Sequence, residues 1–298
     1  MGFFDRFKRK KTFSEADITP EYINNHVFMV HLLMREKTAM PSRDRMEQVM
    51  GRHLGDVACL SDGEKSACIA VKKHRVKLRE GKFPPQLMVT ECLPMGNVQI
   101  DMETRSQMWD CPEHERILGN CKYHVLAIDN MASLLPHKDR AQMDMDFLEA
   151  LVELYPQCEA VYIQNSGKMF TREQIANHQY SHETRYVHFA VNARLFNIEG
   201  TDERIVDTLG MGLLGLPDVQ YHFHGVDPNW IVYHAYCTAQ YIYEAKKKIK
   251  RGDPIDGIKD GEIDIGVQWK CNHEFAIMEP KRIVIDIYMN EYAAGKRM

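Results

Sequence analysis

The sequence lacks any run of about 20 consecutive apolar residues, so no helix in it is expected to span a bilayer. It also lacks a basic surplus: 38 Lys and Arg against 42 Asp and Glu leave a net charge of −4. That balance argues against general binding to nucleic-acid phosphates. No C-x-x-C pair occurs, and the eight cysteines are scattered, several inside apolar segments, as reduced core thiols are. The expected compartment is therefore a reducing one, the bacterial cytoplasm. Signatures of chemistry are missing as well. There is no G-x-S-x-G, no G-x-x-x-x-G-K-[ST] and no H-E-x-x-H, and the one G-x-G-x-x-G, Gly210 to Gly215, is read inside a helix rather than after a strand. Ser166 sits in the turn Asn165-Ser166-Gly167, without the paired glycines that let a strained nucleophile project. No catalytic residue, metal or cofactor is assigned.

What is present is ordinary for a folded chain. Hydrophobic residues make up 44% and charged residues 27% of 298, a composition that can bury a core and is wrong for disorder. Residues 1–20 stand apart as a basic tail, because residues 1–11 carry five basic residues and one acid. The acid-containing stretch that follows at once predicts no secretory leader. If the chain touches a membrane, the expected contact is residues 1–11, with Phe3, Phe4 and Phe7 on one face.

The body alternates strand-like and helix-like pieces. Strands are predicted over residues 27–34, 57–60, 67–76 and 87–92, with a helix between the first two that starts at Ser42 as N-cap. Further along, a strand at 123–128, a helix at 142–155 and a strand at 160–164 precede a capping box, Thr171 with Gln174. Strict alternation predicts a half-buried strand over 187–195. A helix is read at 205–213, then a strand at 219–223 and a helix opened by Asp227 and Pro228. Three short strands are expected after Pro254. The order over 123–223 matches a ferredoxin-like unit. The expected fold is α+β, two ferredoxin-like halves of helix on antiparallel sheet, packed as one body. Their predicted limits are residues 21–119 and 120–298.

The segment Thr208-Leu-Gly-Met-Gly-Leu-Leu-Gly-Leu-Pro-Asp218, with Ala193-Arg194-Leu195-Phe196 before it and Gly252-Asp253-Pro254-Ile255-Asp256-Gly257 after it, carries a resemblance. It resembles the uncharacterised bacterial family described as domain of unknown function 4261, over residues 194–261. The resemblance implies a cytoplasmic protein and brings no activity, cofactor or catalytic residue. Pro254 stands where that family more often has a small hydroxyl residue. Gly210, Gly212 and Gly215 read as close packing within a helix rather than as a phosphate loop, which needs its glycines before the helix.

Several polar groups remain to be placed. His188, Asn192 and Arg194 share one face of the strand read at 187–195 and form the expected binding surface. His222 and His224 flank Phe223 on a second strand end. Cys111, His114, Cys121 and His124 have zinc-like pair spacings with a short central gap. His178 and His182 fall in an expected surface loop, and Asp144, Asp146, Glu149 and Glu153 on a solvated helix face. The function expected is that of a non-catalytic binding or interaction protein whose partner is another protein. The alternative is an enzyme or metal protein that uses the histidine-rich strand ends.

Overall fold

The computed structural model describes residues 27–78 and 81–295, so the expectations for the basic tail lie outside the described residues. The protein is α+β, as expected, and its described residues fall into two compact units, 27–192 and 193–295. The division therefore does not come at 119/120. The reason is pairing: the strand after residue 120 hydrogen-bonds to the first strand of the described residues.

In the first unit β1 (Met29–Met34) leads to α1 (Arg43–Leu54), capped by the Ser42 side chain. β2 (Val57–Gly63), β3 (Ser66–Val71), the small hairpin β4 (Val76–Leu78) and β5 (Gly81–Phe83), and β6 (Gln86–Pro94) follow. Two short helices, α2 (Met102–Ser106) and α3 (His114–Asn120), precede β7 (Tyr123–Asn130) and the long α4 (His137–Leu154). β8 (Ala160–Ile163), β9 (Lys168–Thr171), α5 (Arg172–Ala176) and α6 (Arg185–Ala190) complete the unit. The Thr171–Gln174 capping box is made at both ends.

Seven strands form one sheet in the order β2-β3-β6-β7-β1-β8-β9, each neighbouring pair antiparallel. β1 is an interior strand, fifth in that order, and its apolar Val30 and Leu32 are fully buried. α1 and α4 pack on each other. Leu33 of β1, with Ala160 and Tyr162 of β8, belongs to a second core cluster with Met108, Cys111, Ile117 and Cys121 from the segment around α2 and α3. The unit is thus layered on both sides of its central strands.

The second unit is built from β10 (Asn192–Asn197), β11 (Arg204–Leu209), β12 (Asp218–Phe223), α7 (Pro228–Glu244), β13 (Pro254–Lys259), β14 (Glu262–Phe275) and β15 (Ile283–Tyr288). The sheet order is β10-β11-β12-β15-β14-β13, with β12 and β15 parallel. Residues 123–223 do not make one unit, because β7 and β8 belong to the first sheet and β11 and β12 to the second. α7 is opened by Asp227, whose carboxylate accepts from the Asn229 N–H, with Pro228 at the first helical position. It ends at Glu244, so the basic run 246–251 lies beyond the helix. Among the described residues no helix is long and apolar enough to cross a membrane.

Two predicted elements differ. Residues 185–190 are helical, since Tyr186, Phe189 and Ala190 repeat at helical spacing as well as Val187, Phe189 and Val191 alternate. Residues 205–213 are a strand and a short 3-10 turn instead of a helix. Ile205, Val206 and Asp207 are buried together as a central strand, which the apolar spacing alone does not distinguish.

Candidate functional site

The expected binding face does not form. His188 lies on α6 rather than on the strand, and its ring stacks against Tyr180 with centroids 3.8 Å apart. Burial, then the nearby Lys168 charge, lowers its pKa to about 4, so it is a neutral aromatic at physiological pH. Asn192 is fully buried, and its amide donates to the Gln107 and Ser166 carbonyls at 3.3 and 3.2 Å. Arg194 is buried as well. Its Nε and Nη2 donate to the two oxygens of Asp207 at 2.9 and 2.6 Å, a bidentate pair that consumes its recognition geometry. Strand alternation identified which residues are polar, but it could not show that loops cover them.

The strand ends carrying His222 and His224 do not converge on a site either. His222 is buried on β12 and bonds Glu203 Oε2 through Nε2 at 2.7 Å. His224 follows the strand, and its backbone N–H donates to the Tyr292 carbonyl at 3.0 Å. His234 is a satisfied core histidine, held by the Tyr221 hydroxyl at 2.8 Å and the Asp256 carbonyl at 2.7 Å. The zinc-like set is also dispersed. His114 turns to the Cys111 carbonyl, and His124 pairs with His31. Cys111 and Cys121 share an apolar cluster in which burial raises both thiols to about 11, far from the thiolate a metal needs. Among the described residues no group of three or more His, Cys, Asp or Glu is arranged to hold a metal ion.

The glycine-rich family segment has a definite role. It is the connection between the antiparallel strands β11 and β12. Thr208 Oγ1 donates to Asp218 Oδ1 at 3.1 Å and accepts from the Val219 N–H at 2.9 Å. Asp218 Oδ1 also accepts from the Met211 N–H at 3.1 Å, while its Oδ2 takes Arg282 Nε at 3.2 Å. Between the clasped ends the chain turns through Gly210 at φ 140° and Gly215 at φ 67°, conformations a side chain disfavours. The run Gly210-x-Gly212-x-x-Gly215 therefore follows β11 directly instead of lying within a helix, and its glycines serve the turn into β12, with Gly215 as a left-handed cap.

A cavity of about 220 Å³ in the first unit brings together side chains that sequence separation had hidden. α1 contributes His53, α4 contributes Glu149 and Glu153, and the loop after α5 contributes His178. Val152, Ile175 and Ala176 supply apolar wall, and Arg172 completes the lining. Glu149 and Glu153 are four apart, so both carboxylates face α1 across the packed helix pair. His53 donates from Nε2 to Glu153 Oε2 at 2.9 Å, and Arg52 also pairs with Glu153. The His53 bond, more than Arg52, holds Glu153 below the ordinary carboxylate range. His178 accepts the Tyr180 N–H at Nδ1 and so donates from Nε2 to Glu149 Oε1 at 2.9 Å. Arg185, 3% exposed, bridges Glu149 and Asp146 beneath this group.

That arrangement leaves one opening. In its neutral form, with the Nε2 proton given to Glu153, His53 offers an acceptor at Nδ1, which faces Glu149 Oε2 across 3.7 Å. Two acceptors at that distance converge on a hydrogen-bond donor placed between them. The loop carrying His178 reads as surface from its composition, and the α4 acids read as a wet face. In fact Asp144 and Asp146 are buried and Glu149 and Glu153 are half-sheltered by α1 and α5. The i, i+4 spacing of Glu149 and Glu153 was the available sequence signal. His53, about a hundred residues away, had none.

Comparison with known proteins adds the family and nothing more specific. No curated protein and no solved structure matches the chain at a significant level. Residues 207–288 match the family model described as domain of unknown function (DUF4261). The match runs from β11 to β15 and so takes in the Thr208–Asp218 clasp and its partner Arg282. Over that segment the chain resembles the family of domain of unknown function 4261.

Proposed function

We propose that the protein is a non-catalytic binding protein of the bacterial cytoplasm, and that the His53–Glu149 opening receives a hydrogen-bond donor. The donor is a hydroxyl or amine on a short apolar stem, carried by a small molecule or by a side chain of another protein. The observation that carries this reading is the pair of acceptors 3.7 Å apart, His53 Nδ1 and Glu149 Oε2, beside the apolar wall of Val152, Ile175 and Ala176. An amine bridging them would donate to both, a hydroxyl with its single proton to one of them, and the stem would cover the wall. The cytoplasmic assignment is supported by eight free cysteines, six of them buried, with no disulfide among them. A ferredoxin-like reading of the first unit is supported by the strand order β6-β7-β1-β8 with helices α1 and α4 in the two crossovers.

The test uses histidine ring signals in an NMR titration of the full chain with n-propylamine, 1-propanol and propionate. The amine and the alcohol should shift the His53 ring, and propionate should not. Glu149→Gln should abolish the response. A response to propionate alone, or to none of the three, overturns the reading.

A second reading, an enzyme, draws on the Glu153–His53 pair, in which a carboxylate holds an imidazole with its other nitrogen open, as a general base requires. Hydrolysis of p-nitrophenyl acetate that is lost in His53→Gln would favour it. Equal rates in both proteins would remove it.

A further inference from the structure

One helix face in the second unit is apolar, exposed and electrically lopsided. α7 buries Ile231, His234, Ala235, Thr238 and Ile242 against its sheet. Trp230, Tyr233, Cys237 and Tyr241 recur at helical spacing on the adjoining stripe. The three aromatics among them are exposed, Tyr241 by 58%. The stripe continues onto the β13–β14 hairpin: a Cβ at Gly261 would come within 3.1 Å of the Trp230 ring. Just beyond, Ile263 and Ile265 are exposed, the latter by 82%. An aromatic and aliphatic surface of this kind is what the centre of a protein interface is made of.

The charges around it decide the occupant. At the N-terminal end of α7 Asp227 is exposed, and exposed Lys259, Asp260 and Glu262 flank the Gly261 that meets the Trp230 ring, three acids to one lysine. Past the C-terminal end, next to Tyr241, the run 246–251 exposes four lysines and an arginine. A helix of this length spans about 25 Å, so the surface is acidic at one end and basic at the other. Such a bipolar stripe is complementary to itself when turned through two-fold symmetry. Antiparallel pairing lays each acidic end on the other copy's basic end and stacks aromatic on aromatic. A uniformly acidic partner would meet repulsion from Asp260 and Glu262, and a uniformly basic one from the lysine run.

We propose that this face of α7 and the β13–β14 hairpin binds a second copy of the chain, forming a two-fold symmetric dimer. Cys237 lies near the middle of the stripe, between Trp230 and Tyr241, so the symmetry places the two Cys237 thiols close to the axis. The other cysteines are buried apart from Cys68, which is on β3.

The test measures the mass of the full chain by light scattering and sedimentation, with Cys68→Ser as background. The expected mass is twice 34.7 kDa. Tyr233→Glu buries an unpaired carboxylate in the dimer and should weaken association roughly tenfold or more. Tyr233 is exposed in the single chain, so the variant should keep its fold, as checked by circular dichroism. A short bis-maleimide should link two chains through Cys237, and Cys237→Ser should stop it. Glu262→Lys should also weaken the dimer, and adding Lys247→Glu with Lys248→Glu should restore it. A single-chain mass for the parent protein overturns the proposal. So does a dimer that ignores Tyr233→Glu and yields no Cys237 link.

Discussion

Thr208 and Asp218 hold each other across the connection between β11 and β12, with the hydroxyl donating to the carboxylate at 3.1 Å. The bond closes a loop whose interior needs two glycines at positive φ, and Arg282 anchors the closed loop to the start of β15. It explains why threonine and aspartate bracket the glycine-rich segment: they are the two ends of a turn, and neither is presented to a ligand.

Thr208→Val should therefore destabilise the protein, since it removes a hydrogen bond to Asp218 and leaves the Val219 N–H without its acceptor. The expected loss is roughly 1–3 kcal/mol. Gly215→Ala forces a side chain into the left-handed region and should cost about 1 kcal/mol or more. Urea unfolding of both variants measures this. Unchanged midpoints in both would show that the clasp carries no stability.

A buried carboxylate pair in the first unit gives a contrasting expectation. Asp129 accepts from Arg140 at 2.9 Å and from the Phe28 N–H, so it carries its charge well compensated. Asp144 is fully buried, receives no hydrogen bond, and lies 3.8 Å from Arg140. Burial, then the Asp129 charge, holds Asp144 well above the carboxylate range, so it stays protonated and can donate to Asp129. A raised folded pKa means the folded state binds more protons above the unfolded value, and stability is lost as pH rises. Asp144→Asn keeps the donor and removes that loss. It should match the parent near pH 4 and exceed it at pH 8. Asp129→Asn strands Arg140 and should cost roughly 3–5 kcal/mol. Urea unfolding at both pH values separates the two, and a destabilised Asp144→Asn at pH 8 would refute the protonated assignment.

Local features of this fold were legible in the sequence because their partners are a few residues apart. Ser42, the Thr171–Gln174 box and the Asp227–Pro228 start each satisfy backbone groups within the next turn, and all three are present. What pairs over long range was not legible. β1 takes its neighbours from residues about a hundred positions later, and that choice, rather than any local signal, assigns β7 and β8 to the first unit. Where two periods fitted equally, as at 185–190 and 205–209, tertiary burial decided. The same limit applies to the candidate site. Polar residues such as Arg194 and Asn192 stood out on a strand pattern yet are internal ties, while His53 and Glu153 meet only because α1 packs on α4.

The imidazoles of His31 and His124 carry the last expectation. They meet at Nδ1 to Nδ1, 3.0 Å apart, and His31 Nε2 bonds the Gln164 side-chain oxygen at 2.7 Å. One nitrogen of the central contact must donate and the other accept. With His31 donating to Gln164, His124 supplies the shared proton and both rings are neutral. Protonating His31 would set two donors against each other, and protonating His124 would place a charge and a second N–H at its buried Nε2, which has no hydrogen-bond partner. Burial, then the His31 charge, accordingly lowers the His124 pKa to about 4, and burial lowers that of His31. An unfolded histidine binds its proton near pH 6.5, so between about pH 6.5 and 4 the unfolded chain takes up more protons than the folded one. Stability should therefore be full above pH 6.5 and fall with acid through that window. His124 contributes on the order of 3 kcal/mol to the fall. His124→Gln supplies an amide donor to His31 and cannot titrate. Its unfolding free energy, followed by urea from pH 7 to 4.5, should decline less steeply than the parent's, by up to one bound proton. Parallel declines would mean that the histidine pair is not what makes this protein acid-sensitive.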